Sequence, residues 1–289
     1  MRILVTGSKG QLGNEFQILA NEYSEYSFTF TDIDELDILN KKAIDTLFEE
    51  KKFHCVINCA AYTNVDKAEE EYRLARRINV IGVKNIAKAC NKYNAGLVHI
   101  STDYVYDGKN HRPYKETDFT NPQSAYGETK LEGEEMVEEF AKTAIIIRTS
   151  WLYSSFGHNF VKTMLKYGRE RDELKVIYDQ VGTPTYAANL AKIILNDIED
   201  IQWIQGTHIY NYSDEGVCSW YDFAKEILEL GNIDCKVYPI ETKDYPLPAT
   251  RPPYSILNKA KIKDGLTGFE IPHWKDALKV CISKMEINK

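Results

Sequence analysis

Tyr126 and Lys130, separated by Gly127-Glu128-Thr129, carry the most chemical content in this chain. On a helix, positions i and i+4 project from one face. A phenol placed there can donate its proton to an alkoxide developing from a carbonyl. An unperturbed phenol has a pKa of ~10, so the step needs a nearby cation that favours the phenolate. Lys130 supplies that charge, and its ammonium can also bind a nicotinamide ribose. Ser101-Thr102-Asp103 ends a predicted strand just upstream, where the Thr102 hydroxyl can hydrogen-bond the same carbonyl oxygen. These are the parts needed to reduce a carbonyl. The same spacing recurs at Tyr221 and Lys225. That copy follows no Ser-Thr strand end and lies far from the glycine turn, so it reads as an aromatic on a core face beside a solvated lysine.

The second group of chemistry-bearing residues is Gly7, Gly10 and Gly13, spaced G-x-x-G-x-x-G after the first predicted strand. A tight turn and close approach of backbone N–H groups to a pyrophosphate both need residues without a Cβ. The helix that follows adds the positive end of its dipole. Asp32 lies 19 residues beyond Gly13, at the end of the second predicted strand, where a carboxylate meets an adenosine ribose hydroxyl. Asp34, Glu35 and Asp37 crowd the same loop, and Lys9 can meet a 2′-phosphate, so NADH and NADPH both stay open.

The elements that position these groups alternate. Short β-branched runs fall at Arg2 to Thr6, Phe28 to Thr31, His54 to Asn58, Leu97 to Ser101 and Ala144 to Arg148. Amphipathic stretches lie between them, among them Asn40 to Lys51 and Ser124 to Ala141. Continuous apolar strands joined by helices predict a parallel sheet covered on both faces. Right-handed crossovers then make it a Rossmann-type, doubly wound α/β fold. The second half is less regular. It predicts helices over 159–167, 184–195, 219–230 and 273–284 and a short strand over 174–178. We read a dinucleotide-binding domain over 1–152 with a returning segment at about 178–205. Residues 153–177 and 206–289 form a smaller α+β substrate-binding lobe.

Composition narrows the function class. The chain has 289 residues, 43% hydrophobic and 27% charged, with a formal net charge of −7. A generic nucleic-acid partner needs a basic face and is not expected. No apolar run approaches the ~20 residues of a membrane span, and the N-terminus lacks the charged start and apolar stretch of a signal peptide. The six cysteines form no C-x-x-C pair and read as buried free thiols, which suits a reducing cytoplasm.

At this point the chain resembles the extended short-chain dehydrogenase/reductase superfamily, and within it the dTDP-4-dehydrorhamnose reductase family. The resemblance covers nearly the whole chain. Its marks are the segment from Gly7 to Gly13, the block from Asn58 to Glu69, the block from Ser101 to Gly108, and Arg148-Thr149-Ser150-Trp151. Asp179 to Thr185 and Pro248-Ala249-Thr250-Arg251-Pro252 complete the set. The resemblance implies a nicotinamide-dependent reduction of the C4 keto group of dTDP-4-dehydro-L-rhamnose. It implies Thr102, Tyr126 and Lys130 as the catalytic set. It implies Gln11, Leu12, Asp37, Ile38, Cys59, Ala60, Ala61, Tyr62 and Asn79 at the cofactor, beside the glycine turn. It implies Thr102, Asp103, Tyr104, Trp151, Asn159 and Arg251 at the nucleotide-sugar. Some members bind magnesium through glutamates at a dimer contact. Glu15 matches one of these, but Asn189 stands where another is expected, which argues against a magnesium-bridged homodimer while leaving a homodimer open. Two other readings share the fold: a nucleotide-sugar epimerase or dehydratase, and a non-catalytic dinucleotide-binding subunit. Tyr104 after Asp103 replaces the acid a dehydratase needs, and the intact Thr102, Tyr126 and Lys130 set argues against a pure binding subunit.

Overall fold

A computed structural model describes residues 1–196, 198–201, 205–265 and 270–287. Parts of the second-half segments read from the sequence, at 197, 202–204, 266–269 and 288–289, lie outside the described residues. The first half runs β1 (Arg2–Thr6), α1 (Gln11–Leu19), β2 (Ser27–Thr31), α2 (Lys41–Lys51), β3 (Cys55–Asn58), α3 (Val65–Glu70), α4 (Tyr72–Arg76), α5 (Val83–Tyr93), β4 (Gly96–Thr102), α6 (Ala125–Phe140) and β5 (Thr143–Thr149). It continues through β6 (Leu152–Tyr153), α7 (Phe160–Glu170), β7 (Glu173–Ile177), β8 (Val181–Gly182), β9 (Thr185–Tyr186), α8 (Ala187–Asn196) and α9 (Ile198–Ile201). The last part holds β10 (Gly206–Tyr212), β11 (Cys218–Ser219), α10 (Trp220–Leu230), β12 (Lys236–Ile240), β13 (Tyr254–Ser255), α11 (Ala260–Gly265) and α12 (Trp274–Ile287).

Six parallel strands form the main sheet in the order β2-β1-β3-β4-β5-β10. The strands read as continuous apolar runs because both faces are covered. Ile3, Val5, Cys55, Ile57, Val98, Ile145 and Ile147 meet Leu12 and Phe16 of α1 and Leu190, Ala191 and Ile194 of α8. The alternating set Leu4, Val56, Leu97, Ala144 and Ile146 meets Ile44 and Phe48 of α2, Val83 and Ile86 of α5, and Val137 of α6. The chain passes from β1 to one neighbour, β2, then returns to the other, β3. That reversal opens a crevice at the strands' C-terminal ends, where open α/β sheets carry their ligands.

One part of the domain reading changes. Gly206–Tyr212, placed with the substrate lobe from sequence, pairs along its whole length with β5 as the sixth strand of the main sheet. Gly-Thr-His-Ile-Tyr-Asn-Tyr is half polar, as an edge strand's exposed face allows, so it lacks the apolar run that marks the four inner strands. The helix expected from Pro184 begins at Ala187, because Thr185 and Tyr186 first pair with β6. A separate core of the second half joins Val161 and Leu165 of α7, Val176 of β7, Phe223 and Ile227 of α10, and Trp274 and Leu278 of α12. There the second Tyr-x-x-x-Lys copy packs Tyr221 against this core and leaves Lys225 exposed, while Ser219 and Asp222 cap α10 reciprocally. Of the six free cysteines, four are buried, and Cys59 and Cys235 are partly exposed. No described helix is long and apolar enough to cross a membrane.

Candidate active site

A cleft of about 840 Å³ runs across the C-terminal ends of β1, β3 and β4. At one end lies the glycine turn. Gly7 has φ +65°, and a Cβ there would sit 2.7 Å from the Ala60 amide nitrogen. Gly13 packs so closely that a Cβ would lie 2.5 Å from Ser8 Cα and collide with the Gly7 carbonyl. Gly10 caps α1, and among the described residues no side chain satisfies the N–H groups of its first turn. That turn is therefore free to receive an anion. Asp32 accepts the Lys9 backbone N–H at 2.9 Å on one carboxylate oxygen and the Ile33 N–H on the other, so each keeps lone pairs for a ligand. The Lys9 ammonium is held by Asp34 at 2.8 Å and Glu35 at 3.1 Å. A Gly13→Val exchange should weaken NADPH binding at least about 100-fold, or ~2.7 kcal/mol, in a calorimetric titration.

At the other end stand Tyr126 and Lys130. Ser124 caps α6 by accepting the Gly127 N–H, which starts the helix so that Tyr126 falls in its first turn. The Thr102 hydroxyl lies within hydrogen-bonding reach of the Tyr126 phenol, and burial pushes the phenol up to about 12. Thr102 also donates to Asp103 Oδ1 at 3.1 Å. Burial raises the Asp103 carboxyl to about 6. Lys130 is buried, with Nζ donating to the Ile100 carbonyl at 2.6 Å, and burial lowers its pKa to about 8 against the opposing pull of Glu134 and Cys59. Tyr104 packs edge-on against Tyr126 with ring centroids 5.4 Å apart. The phenol is protonated at neutral pH, the form a proton donor requires.

The cleft wall brings together Gly7, Lys9, Gly10, Gln11, Leu12, Gly13, Asp32, Asp37, Ile38, Cys59, Ala60 and Ala61 with Thr102, Asp103, Tyr104, Tyr126, Lys130 and Trp151. Trp151 adopts φ +48°, a strained backbone for a bulky residue, and stacks on Trp220 at 3.6 Å between centroids. Four expected residues are not in that wall. Asn79 is fully buried in a π-helical turn, Arg77–Gly82, between α4 and α5. Its amide accepts from the Tyr62 N–H at 2.8 Å and donates to the Tyr62 carbonyl and the Thr129 hydroxyl. Asn79 thus clamps the loop after β3 to α6. Tyr62 turns its hydroxyl to Glu71 at 2.6 Å. Asn159 caps α7 and reaches Gln11 and Ser154. Arg251 forms a two-point pair with Asp66 of α3, at 2.9 and 2.7 Å. Glu15 is buried and accepts from Ser154, while Asn189 donates to Asp214.

Over residues 1–287 the sequence matches the family described as RmlD substrate binding domain. The chain belongs to the RmlD family. Among RmlD relatives, a dTDP-4-dehydrorhamnose reductase of Aggregatibacter actinomycetemcomitans is 40% identical over 289 residues, covering 96% of this chain and 97% of the relative. A solved dTDP-4-dehydrorhamnose reductase from Clostridium acetobutylicum is 47% identical, with a TM-score of 0.94 and coverage of 99% and 100%. Another, from Bacillus anthracis in complex with NADP, is 40% identical, with a TM-score of 0.91 and coverage of 98% and 99%. This RmlD chain also lines its cleft with Gly157 and His158, which the sequence does not single out, and with Thr63 and Val65. The first pair precedes α7 in a loop with no local sign of ligand contact. The second pair lies inside the Asn58 to Glu69 block and was legible as part of it.

Proposed function

We propose that this chain reduces the C4 keto group of dTDP-4-dehydro-L-rhamnose to dTDP-L-rhamnose with NADPH or NADH. The observation that carries the reading is the convergence of the Tyr126 and Thr102 hydroxyls on a cleft whose far end is a glycine turn built for a pyrophosphate. Full-length similarity to reductases of that name supports the substrate, and the NADP-bound relative supports the cofactor class. The close approach of Gly7 to Ala60, the open first turn of α1 and the Asp32 carboxylate together fit a dinucleotide. When bound, the reduced nicotinamide supplies the hydride.

Tyr126 gives its proton to the C4 oxygen as negative charge develops there, and Thr102 holds that oxygen in place. The Lys130 ammonium lowers the cost of leaving a phenolate behind. Asp103 and Tyr104 flank the sugar, and Trp151, backed by Trp220, offers a flat apolar face to the ligand. Arg251, near enough to Tyr104 to influence its ionisation, meets the substrate diphosphate on leaving Asp66. A cytoplasmic location is part of the proposal, and the free thiols support it.

Nicotinamide absorbance, followed against a panel of nucleotide-linked 4-keto sugars, tests the reading. Stoichiometric NADPH oxidation with the dTDP-linked 4-keto-6-deoxy sugar is expected, and turnover without net oxidation would instead mark an epimerase. The pH profile has a sign as well. Burial lowers the Lys130 pKa to about 8, so kcat for reduction should fall on the alkaline side of about pH 8 as the cation that stabilises the phenolate disappears.

A further inference from the structure

Behind the cleft, a line of buried polar side chains crosses three strands and ends at Lys130. The Ala60 N–H donates to Thr6 Oγ1 at 3.4 Å, and the Thr6 hydroxyl donates to Asn58 Oδ1 at 2.6 Å. Asn58 Nδ2 lies 3.0 Å from His99 Nδ1, and His99 Nε2 lies 3.5 Å from Lys130 Nζ. Thr6, Asn58 and His99 are each at most 1% exposed. They sit in β1, β3 and β4, at positions whose strand neighbours are apolar.

We propose that His99 is a positioning residue for Lys130, oriented through the sheet by Asn58 and Thr6, which holds the lysine nitrogen at the cleft wall and favours its amine form. The inference rests on the reading of Lys130 as part of the reducing site. The polarity of the line sets the imidazole tautomer. Asn58 Oδ1 is used by Thr6, so its Nδ2 donates to His99 Nδ1, and the imidazole proton sits on Nε2, facing Lys130. Burial holds His99 well below the ordinary histidine range, so it stays neutral. An N–H facing an ammonium is repulsive, whereas an N–H facing an amine is a hydrogen bond.

The other titratable groups that act on Lys130 are Cys59 from the loop after β3 and, on α6 itself, Glu134, the latter already paired with Arg148 of β5. His99 differs from these in placing a ring nitrogen within hydrogen-bonding distance of Lys130 Nζ. The line ends on a backbone amide at Ala60, which releases no proton, so it orients Lys130 and does not conduct protons from it. An apolar set would fill the same space without the desolvation cost of three polar groups, so the line is explained by what it does at its open end.

The test uses the full-length protein. In 15N-labelled enzyme, long-range 1H–15N spectra should show His99 as the neutral Nε2–H tautomer from pH 6 to pH 9. Protonation in that range, or the Nδ1–H tautomer, would overturn the proposal. His99→Leu should lower kcat about tenfold, the scale of a small misplacement, with KM for NADPH little changed. It should also move the alkaline limb upward by about half a pH unit or more, because the opposing N–H is gone. His99→Gln, whose amide can present an N–H, should recover most of both effects. Asn58→Leu should shift the limb in the same direction and add nothing to His99→Leu. A lowered melting temperature with an unmoved alkaline limb would reduce His99 to a packing residue and sink the idea. If the wild-type enzyme fails to oxidise NADPH with the dTDP-linked sugar, the functional reading falls, and the tautomer measurement still decides the His99 question.

Discussion

Tyr126→Phe is expected to lower kcat by ~10²–10⁴, the usual worth of a positioned general acid. The ring's edge contact with Tyr104 survives the exchange, and the glycine turn at the far end of the cleft is untouched. NADPH affinity, read by fluorescence titration, should therefore stay near the wild-type value. A variant turning over at the wild-type rate would show that the proton comes from another group. Asp103, raised to about 6 and adjacent to Thr102, would be the first to examine.

The second large effect is on stability. Glu134 and Arg148 are both almost fully buried and pair at 2.6 Å, with the guanidinium spanning both carboxylate oxygens. Arg148 also donates to the Tyr106 hydroxyl and the Glu116 carbonyl, and Ser101 donates to Glu134. The cluster ties β5 to α6, to β4 and to the loop beyond β4. Glu134→Ala leaves the guanidinium buried without its counter-charge, a loss of about 3–5 kcal/mol. For a chain of this length that corresponds to a melting temperature lower by about 6–10 °C in a thermal denaturation scan. Glu134→Gln should lose less, because an amide oxygen still accepts from Arg148. Glu134 also raises the Lys130 pKa, so its neutral replacement should move the alkaline limb of kcat downward, opposite to the shift expected for His99→Leu.

The contrast between legible and hidden residues follows interaction range. The three-glycine turn after β1, the single-face placement of Tyr126 and Lys130, and the Ser-Thr strand end at Thr102 depend on spacing within a few residues. Helical and strand geometry translate that spacing directly into direction. The four inner apolar strands and the alternating Phe-Thr run of β2 were visible for the same reason, and β10 was hidden because Gly206, His208 and Asn211 break any such pattern. In the sequence His99 is one residue of an apolar strand. Its role appears only when β1, β3 and β4 lie in register, bringing Thr6, Asn58 and His99 into line.

Arg251 makes the point at the greatest distance. The family resemblance implies a place for it at the nucleotide-sugar, and in the folded chain its guanidinium lies on Asp66, 185 residues away. Asn79 likewise follows no helical-face rule, because a π-helical turn rotates it inward to Tyr62 and Thr129. The sequence alone determined which chemistry the chain carries and which sheet edge presents it, since both follow from local period and turn geometry. The fold decided which polar groups meet, because partners 41 to 185 residues apart are chosen by strand register and crossover. No pattern along the chain encodes either.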